Sequence, residues 1–188
     1  MLQRYVYLLF PIFQLHLINL IRTQLIPTEL DIWEANSRSN AFVPHPCNIT
    51  GVYGGSPAES AFEGVCDKWG CGWNPYQLGQ PEHYGRGTPY EVDTTRPFTV
   101  VTSFPADKNG KLVRIERKYI QDGKIIQNAV VNVEGRDVQD YLDDDYCLEN
   151  PGGTRRFTEL GGLVEMGEAM SRGMVLAFAI WYVALSSQ

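Results

Sequence analysis

KLVRIERKYIQDGKIIQNAVVNV, residues 111–133, is the stretch whose reading decides the fold. Asp122-Gly123 is a two-residue turn of the kind that needs positive φ, and runs with β-branched and aromatic residues flank it. The stretch therefore predicts a β-hairpin. Val113, Ile115 and Tyr119 fall on one face of its first strand, and Arg117 interrupts that row. Upstream, PYEVDTTRPFTVVTSF, residues 89–104, adds further short β-type runs. Downstream, one short helix is expected near Leu163 to Met170. GMVLAFAIWYVAL, residues 173–185, reads as a buried strand and is too short to cross a membrane as a helix. With 18 Gly and 11 Pro to form turns, the chain is expected to be mainly β, an antiparallel sandwich or jelly roll.

The length of 188 residues fits one domain, and a hydrophobic content of 44% suffices for a core. The net charge of −6 argues against nucleic acid or an anionic membrane surface as partner, because both require a basic face. Four cysteines, Cys47, Cys66, Cys71 and Cys147, allow three pairings, and their spacing does not choose among them. The C-x4-C of Cys66 and Cys71 is not the usual C-x2-C of a zinc site, and no H-x3-H accompanies it, so no metal is expected. Two disulfides in an oxidising compartment, and hence a secreted, extracellular protein, is the better reading. Asn48-Ile49-Thr50 is a glycosylation sequon and agrees with secretion.

The first 28 residues differ from the remainder. They hold no Gly, no Cys and no acid. YVYLLFPIFQLHLINLI, residues 5–21, is apolar but carries Gln14, His16 and Asn19, with Arg4 in front. Three readings stay open for it: a signal-like segment without a cleavage motif, a membrane anchor shorter than the roughly 20 residues required, or sequence foreign to the coding segment. The expected division is residues 1–28 apart from a domain over 29–188.

TELDIWEANS, residues 28–37, places Glu29, Asp31 and Glu34 among apolar neighbours. On a regular strand Glu29, Asp31 and Trp33 share a face and Glu34 points away. Glu34 joins the other acids only if a bulge falls between Asp31 and Glu34. Two carboxyls about 5 to 5.5 Å apart across a glycosidic bond are the apparatus of a retaining glycosidase. Crowded like charges raise at least one pKa, which suits an acid that must hold its proton. The plain alternative is an edge strand with solvated acids, and periodicity alone does not overturn it.

ELDIWEANS resembles the active-site signature of glycoside hydrolase family 7, the cellobiohydrolases and endoglucanases. NSRSNAFVPHPC (36–47), CDKWGCGWNPY (66–76), VDTTRPFTVVTSF (92–104), RKYIQDGK (117–124) and DDYC (144–147) follow in family order, and the resemblance extends to Trp181. It implies a retaining β-1,4-glucanase with Glu29 as nucleophile, Asp31 as its electrostatic helper and Glu34 as general acid/base. It implies substrate contacts by His45 and Trp181, whose plain alternatives are a turn histidine and a core aromatic. It pairs Cys47 with Cys66 and Cys71 with Cys147. The partner it implies is a cellulose-like β-glucan, met by a monomer without cofactor, since carboxylates and water suffice.

The chain also departs from the family. Pro27 and Thr28 stand where cysteines usually precede the first acid; Ala61 and Phe62 replace an Arg-Tyr pair; Trp69 replaces an acid; Gln77 replaces an Arg. These departures fall on the product side of the cleft and lean towards an open, endoglucanase-like cleft. The resemblance covers only the middle of a longer catalytic domain, so an incomplete jelly roll is expected. A second reading is accordingly a truncated, non-catalytic remnant that at most binds glucan. A laminarinase-type glucanase shares the acid pattern, but P-H-P-C and N-P-Y argue against it.

Overall fold

A computed structural model of the chain describes residues 5–8, 25–54, 64–132, 134–149 and 155–178. Its strands are β1 (Tyr5–Leu8), β2 (Leu25–Pro27), β3 (Glu29–Ala35), β4 (Asn40–His45), β5 (Val52–Gly54), β6 (Tyr84–Gly85), β7 (Val92–Asp93), β8 (Thr99–Ser103), β9 (Ile115–Gln121), β10 (Lys124–Gln127) and β11 (Tyr141–Leu142). Its helices are α1 (Asp144–Glu149), α2 (Arg155–Glu159) and α3 (Gly162–Arg172). The largest sheet runs β1-β8-β9-β10, with β11 also paired to β9, and every pairing in it is antiparallel. Separate antiparallel pairs are β2 with β5 and β3 with β4, while the short β6 and β7 pair in parallel.

The hairpin forms as its turn chemistry requires. Gln121 stands opposite Lys124, and Asp122 (φ 50°) and Gly123 (φ 74°) make the two-residue loop in the left-handed region. Burial alternates strictly along β9, with Ile115, Arg117, Tyr119 and Gln121 on the inner face. Arg117 thus continues the row that its charge was expected to break. Its guanidinium lies 4.4 Å from the Phe42 ring centre and 5.2 Å from that of Trp33, so aromatic faces replace water around it. Val113 was expected on the same face; it precedes the strand and is 42% exposed.

Two apolar clusters flank β3. One gathers Phe42, Trp73, Ile115, Leu142, Phe157, Leu163 and Met166, with Leu30 and Ile32 packed on it. The other holds Tyr84, Val92, Val100 and Tyr119, with Trp33 packed on it. The expected helix is α3, which buries Leu163, Met166 and Ala169 and ends before Gly173 at φ 99°. Helices α1 and α2 were not anticipated. The first has a local signal, the Asp143 carboxylate accepting the Tyr146 N–H at 2.8 Å, as an N-cap does. The expected buried strand over 173–185 is not formed where it is described: residues 173–178 carry no strand and are exposed, Val175 to 94%. Among the described residues no strand pairs with them, so β propensity finds no sheet to join; residues 179–185 lie outside the described set.

Cys47 is bonded to Cys66 and Cys71 to Cys147, and all four are buried. The first bond fastens residues 65–67 beside 46–48, where Asp67 N–H donates to the Pro46 carbonyl at 2.9 Å and Asn48 N–H to that of Val65 at 2.8 Å. The second ties α1 to the segment beside β4, where Cys71 N–H donates to the Pro44 carbonyl at 3.1 Å. Both disulfides therefore brace the C-terminal end of β4. No helix among the described residues is long and apolar enough to cross a membrane.

Candidate active site

Strand β3 carries the acids, and its pairing with β4 decides which way they point. Glu29 stands opposite His45, Leu30 opposite Pro44 and Asp31 opposite Val43. The register then shifts, so that Glu34 faces Ala41 and Ala35 faces Asn40. Ile32 and Trp33 together oppose the single residue Phe42, which is the two-against-one count of a β-bulge. Both of these residues turn inward, Ile32 onto the first cluster and Trp33 onto the second. Trp33 rests there against Tyr84, Phe98 and Tyr119, with ring centres 6.0 to 6.3 Å apart. Leu30 also packs inward, so Glu29 and Asp31 point outward, and the two consecutive inward residues return the alternation to outward at Glu34. The bulge thus sits between Asp31 and Glu34, where a shared site requires it, and Trp33 leaves the acids' face.

His45 completes the group. Its Nδ1 lies 2.9 Å from the Asp67 carbonyl oxygen, which can only accept, so Nδ1 carries a hydrogen. Its Nε2 lies 3.0 Å from Asp31 Oδ2, and that contact requires a second proton between ring and carboxylate. Burial of the ring works to lower its pKa. The hydrogen bonds to Asp31 and Asp67 and the charges of Asp31 and Glu29 outweigh burial, and the net direction is upward. Gly70 lets the loop approach: at φ 66°, a Cβ there would lie 2.5 Å from Val43 Cγ1 and 2.7 Å from His45 Cε1.

Both glutamates titrate above the ordinary value of 4.5. For Glu29 the causes are loss of solvent, then the Asp31 charge and a side-chain hydrogen bond to Asp31, opposed by His45. For Glu34 they are loss of solvent and the Asp31 charge, again opposed by His45. Each is nevertheless open to solvent on its outer side. The arrangement offers two carboxyls with raised proton affinity flanking a third that is held by a histidine. Among the described residues no group of three or more His, Cys, Asp or Glu is placed to hold a metal ion.

Glu29, Asp31, Glu34 and His45 are therefore brought together by one strand pair. Trp181 lies outside the described residues. Asn48 is exposed, just beyond β4. Sequence reasoning missed three contributors: the Asp67 carbonyl and Gly70, which hold and admit the His45 ring, and Arg117. For Arg117 a signal existed, a charged residue inside an otherwise apolar row.

The family model described as Glycosyl hydrolase family 7 matches residues 25–187. Endoglucanase EG-1 of Humicola insolens is 51% identical over 154 residues, which is 82% of this chain and 35% of that protein. The native structure of Humicola insolens endocellulase EGI superposes with a TM-score of 0.79 at 48% identity, covering 85% of this chain and 39% of that one. The structure of an endoglucanase I complexed with cellobiose superposes with a TM-score of 0.74 at 45% identity, covering 80% and 37%. The chain thus spans little more than a third of the relatives it matches.

Proposed function

Because this chain belongs to glycosyl hydrolase family 7, we propose that it hydrolyses β-1,4-glucosidic bonds of a cellulose-like glucan with retention at the anomeric carbon. The observation that carries the reading is the bulge at Ile32-Trp33, which sets Glu34 on the face of Glu29 and Asp31. In the first step the Glu29 carboxylate attacks the anomeric carbon while Glu34 gives its proton to the departing glycosidic oxygen. The C–O bond breaks and a glucosyl ester of Glu29 remains. In the second step Glu34, now a carboxylate, takes a proton from water, and the hydroxide so formed displaces Glu29. Asp31 with His45 balances charge beside Glu29 as it cycles between carboxylate and ester. These steps consume only water.

Endo action is supported by the endoglucanase names of the relatives, and a glucan substrate by the cellobiose with which one structural neighbour is complexed. Trp181 is the proposed stacking platform for a glucosyl ring, whose C–H face suits a flat aromatic. We read the fold as part of a jelly-roll sandwich, and the protein as a secreted monomer whose buried disulfides suit an oxidising compartment. Exposed Asn48 is a candidate for glycosylation, and we read residues 1–28 as distinct in sequence character from the domain over 29–188, to whose largest sheet β1 nonetheless adds a strand.

Reducing-sugar release from a soluble β-1,4-glucan, beside Glu29→Gln, tests the reading. Release that disappears in the variant supports it. Release that persists removes Glu29 from the nucleophile's role. Glucan binding without release favours the non-catalytic reading.

A further inference from the structure

Arg117 is the one charged side chain among the buried polar residues of the β9 face, and it reaches the backbone of the bulge. Its Nη2 donates to the Ile32 carbonyl, a contact that spans 85 positions of sequence. The Tyr119 hydroxyl also interacts with the guanidinium, while its Nε and Nη1 have no acceptor in good hydrogen-bond geometry among the described residues, and the residue is 3% exposed. The Phe42 and Trp33 rings lie against the guanidinium at 4.4 and 5.2 Å. These rings belong to the residues that define the bulge: Trp33 is one of its two inner residues, and Phe42 is the residue they jointly oppose.

Burying a guanidinium without a carboxylate is costly, and apolar replacements of similar volume often stabilise a fold. A bulge leaves one strand residue outside the ladder, so its carbonyl needs a partner from elsewhere. A planar fork that donates from its edge while aromatic rings cover its faces meets both conditions. A neutral side chain of the same length fills the space but leaves the Ile32 carbonyl without that donor.

We propose that Arg117 is a positioning residue, which holds the Ile32-Trp33 bulge and through it the placement of Glu34 relative to Glu29. The proposal deepens the glucanase reading and rests on it for its kinetic consequence, though not for its structural one.

Arg117→Met keeps much of the volume and removes the donor; Arg117→Lys keeps a donor and the charge. In Arg117→Met, amide hydrogen exchange at Trp33 and Glu34 is expected to accelerate by at least about tenfold. Exchange at Val100 and Val101, in the neighbouring strand β8, is expected to stay as in the parent. On glucan, Arg117→Met is expected to lose about 100-fold in kcat at little-changed KM, the cost of a misplacement near 1 Å. Arg117→Lys is expected to recover at least tenfold of that loss. Unchanged exchange at Trp33 and Glu34, or acceleration spread equally over β8 and β9, overturns the proposal, as does parental kcat in Arg117→Met. A parent chain that releases no sugar, while the exchange contrast holds, leaves Arg117 as the holder of the bulge and counts against the glucanase reading alone.

Discussion

His45 Nε2 lies 3.0 Å from Asp31 Oδ2, and the opposite ring nitrogen is committed to the Asp67 carbonyl at 2.9 Å. The ring therefore shares a proton with Asp31 rather than merely touching it. Its pKa is raised above the ordinary 6.5 despite burial. A base whose pKa is higher folded than unfolded stabilises the fold fully below the unfolded value, and that stabilisation fades as pH rises through the folded value. The melting temperature of His45→Gln is accordingly expected to fall furthest below the parent's at acid pH. The deficit should correspond to about 1.5–3 kcal/mol, the worth of a charge-assisted hydrogen bond, and should shrink as pH climbs beyond 6.5. A deficit that grows with pH would reverse the assignment.

Glu29 and Glu34 both titrate above 4.5, so both limbs of the profile of kcat/KM against pH are expected above that value. The acid limb reports ionisation of the nucleophile, the basic limb loss of the proton from the acid; because the carboxyls interact, the limbs belong to the group rather than to single residues. Glu34→Gln should abolish the basic limb and lower kcat/KM by about 10²–10⁴-fold. An aryl glycoside whose leaving group needs no proton should suffer less. Equal losses on both substrates would take the acid's role from Glu34.

Gly70→Ala puts a methyl 2.5 Å from Val43 Cγ1 and 2.7 Å from His45 Cε1, at a backbone φ of 66°. Left-handed backbone and overpacking together are expected to cost about 2 kcal/mol or more. The His45 ring is expected to move to make room, so its pKa, followed by proton NMR, should fall towards 6.5. An unchanged histidine titration would show that the loop yields instead of the ring.

Cys71 and Cys147 lie 76 positions apart, and both are fully buried. Opening a loop of that length removes about 4.5 kcal/mol of constraint on the unfolded chain in the chain-entropy account. Urea unfolding of the Cys71→Ser, Cys147→Ser double variant is expected to show a loss of about that size. Because Cys71 also anchors the Pro44 carbonyl beside His45, the Asp31–His45 contact should loosen as well. A loss below about 1 kcal/mol would mean that packing of α1 holds this end without the bond.

Much of the architecture was legible. Asp122-Gly123 encodes a hairpin because few dipeptides tolerate two positive φ angles. The short helix expected near Leu163 to Met170 is α3, which runs over Gly162–Arg172. The exposed stretch 173–178 misled because β propensity measures fitness for a pleated surface, and no described strand offers one there. Helix α1 is hard to read from sequence although Asp143 marks its start, since a six-residue helix shows little periodicity.

The acids divide in the same way. TELDIWEANS alone dictates that Glu29 and Asp31 share a face and that Glu34 can join them only through a bulge at residues 32–33. Whether the bulge forms depends on tertiary packing. Ile32 and Trp33 are both drawn inward because two separate apolar clusters lie beneath β3, and the Arg117 guanidinium, from 85 positions away, takes the carbonyl between them. Alternation along a strand is a local property of the backbone. Its interruption is stabilised only by partners that the folded chain brings up from elsewhere.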